Sequence, residues 1–126
     1  MMPEEVRRSR YVSLTTFRKN GTGVPTPVWH AVEGDELYVL TRDDAWKVKR
    51  LRNDPRVEVA VCDLRGNVAE GAERYAGTGR LVEGEELSRI RRLLYRKYTW
   101  QYWLTDVPAM IFRRGKRPHM GIVVTL

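Results

Sequence analysis

The chain has 126 residues, a net charge of +7 and 42% hydrophobic residues, which suits one globular domain spanning residues 1–126. No segment approaches the roughly 20 apolar residues of a membrane span, and the N-terminal MMPEEVRRSR lacks the apolar core of a secretory signal, so we expect a cytoplasmic protein with no membrane partner. The basic excess favours an anionic partner: nucleic acid, anionic lipid or a polyanionic small molecule.

The first third of the chain predicts three strands in a meander. Residues 11–17, YVSLTTF, are rich in β-branched and aromatic residues, and an Asn-Gly turn signal follows them. Residues 24–32, VPTPVWHAV, and residues 36–41, ELYVLT, are the next two strands. Pro25 and Pro27 are unfavourable within a central ladder, so they indicate an edge strand, a bulge, or backbone left free for a ligand.

Residues 41–57, TRDDAWKVKRLRNDPRV, predict a short basic helix over 44–53 between two strands. Asp43 or Asp44 can cap this helix. Lys47 then lies in its first turn, where free N–H groups and the positive end of the helix dipole favour an anion. The segment is therefore either a phosphate-binding site or a solvated basic helix, and the segment alone does not favour one over the other.

The second half of the chain predicts three more strands and the strongest helix. The strands cover residues 56–63, residues 67–82 as one long bent strand, and residues 119–126. The helix covers residues 84–98, where apolar residues recur at spacings of three and four: Leu87, Ile90, Leu94 and Tyr98. Six strands and two helices in this order indicate a mainly β fold, a small antiparallel Greek-key barrel with peripheral helices.

The common catalytic motifs are missing from the sequence. It contains no HExxH, CxxC, GxSxG or Walker loop. His30 and His119 have no partner cysteine, so no metal site is expected, and Cys62 in an apolar strand is expected to be a core thiol. A cofactor that carries the reaction chemistry therefore becomes attractive. Trp29 and its strand could line a flat heterocycle, although a core position is the simpler interpretation of its spacing.

Three segments in combination strongly resemble the pyridoxamine 5′-phosphate oxidase-like split-barrel flavoprotein superfamily. They are the TPVW strand, the KVKRLRNDPRV helix and strand, and the KYxWQ segment at residues 97–101. Within that superfamily the chain looks like the small members that use the deazaflavin coenzyme F420. The resemblance covers roughly residues 9–126.

This resemblance implies a six-stranded antiparallel Greek-key split barrel that forms a homodimer with cofactor sites at the subunit interface. It also implies hydride transfer between F420 and an unidentified small organic substrate. FMN is the alternative cofactor, and a non-catalytic F420 carrier is the alternative role. A barrel that binds single-stranded nucleic acid is less favoured, because the basic residues lie mainly on helices and loops.

The resemblance further implies which residues bind the cofactor, while no catalytic residue is assigned. Lys47 is expected to meet the cofactor phosphate, and Lys49 is expected to face the cofactor tail. The TPVW strand would flank the ring, and the KYxWQ segment would approach a site across the dimer. The full set is Thr26, Pro27, Val28, Trp29, Thr41, Lys47, Val48, Lys49, Trp100 and Gln101. Trp46 departs from the small residues of many relatives and would either crowd the phosphate or add a stacking wall.

Overall fold

The computed structural model of the chain describes residues 2–97 and 119–126. These residues form seven strands and three helices, so the expected mainly β fold is confirmed. In chain order the elements are α1 (Glu4–Arg8), β1 (Tyr11–Phe17), β2 (Gly23–Trp29), β3 (Ala31–Glu33), β4 (Glu36–Arg42), α2 (Trp46–Asn53), β5 (Arg56–Cys62), β6 (Tyr75–Val82), α3 (Glu85–Lys97) and β7 (His119–Thr125). None of the helices in these two ranges is long and apolar enough to cross a membrane.

One antiparallel sheet contains the seven strands in the order β2-β1-β5-β6-β7-β4-β3. Its two edge strands, β2 and β3, are consecutive in the sequence, and His30 alone separates them. The sheet must therefore curl until its edges approach each other at this residue. The result is a split-barrel-like architecture whose interior is lined by the inward side chains of the strands.

The predicted second strand is two strands in the structure, because the chain changes sheet edge at His30. Trp29 pairs with Tyr11 on β1, whereas Ala31 pairs with Tyr38 on β4. The prediction of six strands is therefore wrong by one strand. Both antiparallel pairings of the predicted meander form, β1 with β2 and β3 with β4, but they lie at opposite edges of the sheet.

The edge position predicted from the two prolines is confirmed. Pro25 and Pro27 face Thr15 and Ser13 of β1, and β1 is the one strand with which β2 pairs in the part of the chain described. The two prolines share the same parity along the strand. Because proline has no N–H, these positions point their backbone groups away from β1, towards the free edge of the sheet.

Two element boundaries and one additional helix differ from the sequence prediction. The N-cap of α2 is Ala45 instead of Asp43 or Asp44, and the Asp44 carboxylate instead accepts a 2.7 Å hydrogen bond from Arg42. The predicted long strand over residues 67–82 is confined to β6, because the preceding residues form turns. The short helix α1 was not predicted.

Two apolar clusters hold the fold together. The barrel interior contains fully buried valines and leucines from both halves of the sheet, and α2 contributes Leu51 to it. On the outer face of the sheet, α3 contributes Ile90 and Leu94 to a second cluster that includes Tyr38. The interior cluster therefore fixes the position of α2 against β1 and β6.

Candidate functional site

A cleft of about 850 Å³ lies between α2 and the hairpin formed by β1 and β2. Its apolar wall is formed by Phe17, Val24, Ala45 and Trp46, and its polar uncharged groups come from Thr26 and Asn53. The hairpin and the helix are both anchored on the barrel interior. The cleft is therefore a preformed groove between two fixed elements, of a size that suits a cofactor.

The cleft is strongly basic. Five of its lining residues are cations, and the described lining residues include no aspartate or glutamate. The five are Arg18, Lys19, Lys47, Lys49 and Arg50. Elsewhere in the described structure many arginines pair with carboxylates, as Arg56 does with Asp54 and Arg80 with Glu86. Like charges gathered in a cleft raise the local potential, so this groove attracts anions.

Lys47 lies in the first turn of α2, as predicted. Burial lowers the pKa of its ammonium group, and the nearby positive charge of Arg50 lowers it further. Lys47 forms no hydrogen bond or ion pair with any residue in the two described ranges. An anion in the cleft would compensate both effects, because it would neutralise the desolvated ammonium and reduce its repulsion with Arg50.

Arg50 lies one helical turn after Lys47, and a residue of strand β1 holds its side chain in place. Its Nε donates a 2.6 Å hydrogen bond to Oγ1 of Thr16, which is fully buried on β1. Burial lowers the pKa of Arg50, and the charge of Arg18 across the cleft lowers it further, although the guanidinium remains protonated at neutral pH. The two NH₂ groups of a guanidinium anchored at Nε stay available to a ligand.

Trp46 forms part of the cleft wall directly before Lys47. Its side chain is 70% exposed, and the ammonium group of Lys49 lies 4.4 Å from the centroid of its ring. This separation is within the range of a cation–π contact. Of the two roles considered for this residue, the structure therefore favours a wall over an obstruction, since the indole leaves a cleft of this volume open.

The structure brings together three of the predicted cofactor-binding residues. Thr26, Lys47 and Lys49 line the cleft. The others lie elsewhere: Val28 and Val48 are buried in the core, Thr41 is buried on β4, Pro27 packs over the turn at Gly66, and Trp29 packs edge-to-face on Tyr11 at 5.8 Å. Trp100 and Gln101 lie outside the described residues. A role in cofactor binding stays a prediction for every member of the set.

Three basic cleft residues were not among the predicted set. Arg18 and Lys19 belong to the turn between β1 and β2, and Arg50 follows Lys47 by three positions on α2. The spacing of Lys47 and Arg50 is a usable sequence signal, since residues three apart share one face of a helix. Arg18 and Lys19 give no comparable signal, because their approach to α2 depends on the tertiary fold.

A second polar cluster surrounds His30 at the junction of β2 and β3. His30 is fully buried, and its Nε2 lies 2.8 Å from the carbonyl oxygen of Val6, 3.4 Å from Oγ of Ser9 and 3.3 Å from Nζ of Lys97. Burial and the charge of Lys97 lower the pKa of His30 to about 4. The imidazole is therefore neutral at physiological pH and donates its Nε2–H to Val6.

Several elements of the fold meet at His30. Lys97, the last described residue of α3, donates a 2.9 Å hydrogen bond to the carbonyl oxygen of Ser9. The cluster thus connects α1, the start of β1, the two sheet edges and α3. In the described part of the chain, no group of three or more His, Cys, Asp or Glu side chains is arranged to hold a metal ion. We therefore assign His30 a structural position.

The curled antiparallel sheet, with a basic cleft beside a short helix, defines the chain as a split-barrel-like protein. The family described as pyridoxamine 5′-phosphate oxidase matches residues 2–124. The chain belongs to this family. No curated protein sequence matched the chain.

Three solved structures show how widely this fold is used. A conserved hypothetical protein from Mycobacterium tuberculosis is 26% identical, with a TM-score of 0.70 over 98% of this chain and 79% of that one. The heme storage protein HutZ from Vibrio cholerae is 14% identical, with a TM-score of 0.70 over 97% and 85%. An F420 reductase is 19% identical, with a TM-score of 0.64 over 97% and 90%. The last two likenesses show the fold and nothing further.

Proposed function

We propose that the protein is an oxidoreductase that binds the deazaflavin coenzyme F420 in the basic cleft and acts on a small organic substrate. The observation that carries this proposal is the set of five cations that line the cleft without an acidic residue among the described lining residues. F420 has a phosphodiester and a polyglutamate tail, so it carries more negative charge than FMN. The chain shares its fold with an F420 reductase, so this coenzyme is compatible with the fold.

Each cleft residue has a role in this proposal that follows from its surroundings. Lys47 and the N–H groups of the first turn of α2 would hold the phosphate, and Arg50, fixed by Thr16, would add a directed guanidinium. Lys49 and the Arg18–Lys19 turn would face the acidic tail. The bound coenzyme would supply hydride transfer, while the protein would position it and exclude water.

FMN remains the alternative cofactor, since a single phosphate would satisfy Lys47 and Arg50 equally well. The two cofactors differ in how many cations of the cleft their negative charges can neutralise. FMN would leave the charge of Lys49 and of the β1–β2 turn uncompensated, whereas the polyanionic tail of F420 would neutralise it. The number of cations in the cleft is thus the reason for preferring F420.

A non-catalytic F420 carrier is the second candidate function, and one observation favours it. The described residues that line the cleft include no carboxyl, imidazole or phenol group that could donate a proton to a reduced substrate. Heme binding, as in the storage protein with this fold, finds no axial ligand in His30, which is fully buried and bonded to Val6. A turnover assay with reduced F420 and a panel of acceptors distinguishes the enzyme from the carrier.

The test of the cofactor assignment is a calorimetric titration of the protein with F420 and with FMN. F420 should bind more tightly, and its affinity should fall as salt rises because exposed cations are screened. Lys47→Ala should weaken F420 binding by about ten- to a hundred-fold, as expected for the loss of one charge-assisted hydrogen bond. Tighter binding of FMN would reverse the assignment.

The matched control for Lys47→Ala is Arg92→Ala. Arg92 is an exposed cation of α3 and does not line the cleft. Its removal lowers the net charge by the same unit and should leave the affinity for F420 unchanged. Equal losses in the two variants would mean that the basic charge acts diffusely, and binding of nucleic acid would then become the better interpretation.

We also propose that the protein is a homodimer. The family resemblance implies that a partner subunit covers apolar strand faces of the barrel, and Trp100 and Trp103, which lie outside the described residues, are the candidates for that contact. Stable dimers of this kind bury on the order of 2,000 Å² or more. Sedimentation equilibrium should give twice the 14.7 kDa of one chain at micromolar concentration. A stable monomer would contradict the proposal without touching the cofactor assignment.

A further inference from the structure

Trp46 is unusual among the large apolar side chains of the described structure. Two of them are exposed, Trp46 at 70% and Leu64 at 66%. Leu64 lies in the turn after β5 and does not line the cleft, whereas Trp46 forms one of its walls. A single exposed apolar side chain is ordinary in itself, but Trp46 lines a cleft of about 850 Å³ together with five cations. Its place in the groove therefore suggests a contact with a ligand.

The neighbours of Trp46 are cations on the same helix. Lys49 lies three residues later and places its ammonium group 4.4 Å from the indole centroid, within the range of a cation–π contact. Lys47, the residue that would hold the phosphate, is adjacent in the sequence. An aromatic ring and a binding position for an anion thus lie side by side at the first turn of α2.

The rest of this wall is also suited to a flat ring. Phe17, Val24 and Ala45 line the same cleft and bring no charge to it. Trp29, which the family resemblance would place beside a ring, is instead packed on Tyr11 and on the outer apolar cluster. Of the two aromatic side chains that line the cleft, Phe17 is half-buried with the guanidinium of Arg56 over its ring, whereas Trp46 is 70% exposed and is the more accessible to a ligand.

We propose that Trp46 is a ring-stacking residue, so that the cleft selects phosphate esters that carry an aromatic or heteroaromatic ring over phosphates that carry none. The inference rests on the proposed function in one respect, which is that the phosphate lies at Lys47. It adds a determinant of specificity that charge cannot provide. The cations of the cleft would bind inorganic phosphate, sugar phosphates and nucleotides with equal affinity. The indole would distinguish them, because it stacks only on ligands that carry a ring.

The experiment compares AMP with ribose 5-phosphate, which shares its phosphate and sugar but lacks the ring. Both are titrated calorimetrically into the full-length protein and into Trp46→Ala, Trp46→Phe and, as a control, Leu64→Ala. Stacking of one base on an aromatic side chain corresponds to about five- to a hundred-fold in affinity. AMP should bind more tightly than ribose 5-phosphate by this factor in the wild type and in Leu64→Ala.

The variants determine whether the indole causes the preference. Trp46→Ala should abolish the difference between the two ligands while leaving the affinity for ribose 5-phosphate unchanged, and Trp46→Phe should retain part of it. Equal binding of both ligands by the wild type would overturn the stacking inference and leave the phosphate site intact. If neither ligand binds, the stacking inference is overturned, and a parallel titration with F420 decides the proposed function separately, which fails if F420 does not bind either. Binding of oligothymidylate more than ten times tighter than AMP would overturn the assignment to a small molecule.

Discussion

Two lysines with a lowered pKa show how differently the same chemical group is used at two places in this fold. Burial lowers the pKa of Lys97 to about 8, and burial together with Arg50 lowers the pKa of Lys47. Lys97 donates a hydrogen bond to the carbonyl oxygen of Ser9. Lys47 has no such partner among the described residues. The first ammonium group is part of the structure, and the second is left for a ligand.

The difference between the two lysines indicates which of them can contribute free energy to ligand binding. A partly desolvated cation that lacks a hydrogen-bond partner destabilises the folded chain. At the His30 junction the carbonyl oxygen of Ser9 offsets part of this cost, although burial still holds the pKa of Lys97 at about 8. In the cleft the desolvated Lys47 ammonium group stays uncompensated until an anion binds. Neutralisation of this group therefore adds to the binding free energy that an anionic ligand gains from its own contacts.

The largest effect that should separate the two regions is on stability. His30→Ala removes the hydrogen bond to Val6 and leaves a cavity at a fully buried position, so the free energy of unfolding should fall by about 3 kcal/mol. Lys47→Ala should change it by no more than about 0.5 kcal/mol. Urea unfolding followed by far-UV circular dichroism measures both. Equal losses would mean that the cleft is as important to the fold as the junction.

The second expected effect is a dependence of stability on pH that originates at His30. The pKa of this imidazole is about 4 in the folded state and near 6.5 in the unfolded chain. Between these values the unfolded state binds the extra proton, so the stability contribution is complete above about pH 6.5 and is lost as pH falls towards 4. The total change should be about 3 kcal/mol.

His30→Gln provides the control for this pH dependence. Its amide can still donate to the carbonyl oxygen of Val6, but it does not titrate. Urea midpoints measured from pH 7.5 to pH 4 should fall less steeply in this variant than in the wild type. Identical slopes would assign the acid sensitivity to other groups and would show that the imidazole is hydrated in the folded chain.

The smallest effect concerns the link between core and cleft. Thr16→Val removes the hydroxyl that accepts a hydrogen bond from Nε of Arg50. Stability should fall by about 1 kcal/mol, the contribution of one hydrogen bond, and the affinity for F420 should fall by about two- to fivefold because the guanidinium is no longer held in one orientation. Ser at the same position should restore binding. Unchanged affinity in Thr16→Val would show that Arg50 orients itself without this bond.

Much of the secondary structure could be predicted from the sequence, because strong local patterns produced it. The β-branched run that forms β1 and the apolar spacing that forms α3 place these elements within one residue of their observed bounds. The break at His30 could not be predicted in this way. It results from closure of the sheet and from the hydrogen bond to Val6, and the run VPTPVWHAV contains no local signal for either.

The candidate site was predictable in part for the same reason. Lys47 could be placed because a helix start is a local feature, even though the predicted aspartate cap does not form. The contribution of Arg18 depends on the hairpin of β1 and β2 approaching α2, which is a long-range contact. Val48 illustrates the opposite error: its neighbours Lys47 and Lys49 line the cleft, but its own side chain is fully buried.

The prolines of β2 have a further consequence, for aggregation. An exposed edge strand invites another chain to extend the sheet, and this edge lies beside the cleft that must stay open to solvent. Pro25 and Pro27 remove two successive donors from that edge, so an incoming strand would meet carbonyl groups with no N–H between them. The same two residues that made the strand difficult to place in the sequence therefore keep the barrel from polymerising through its open side.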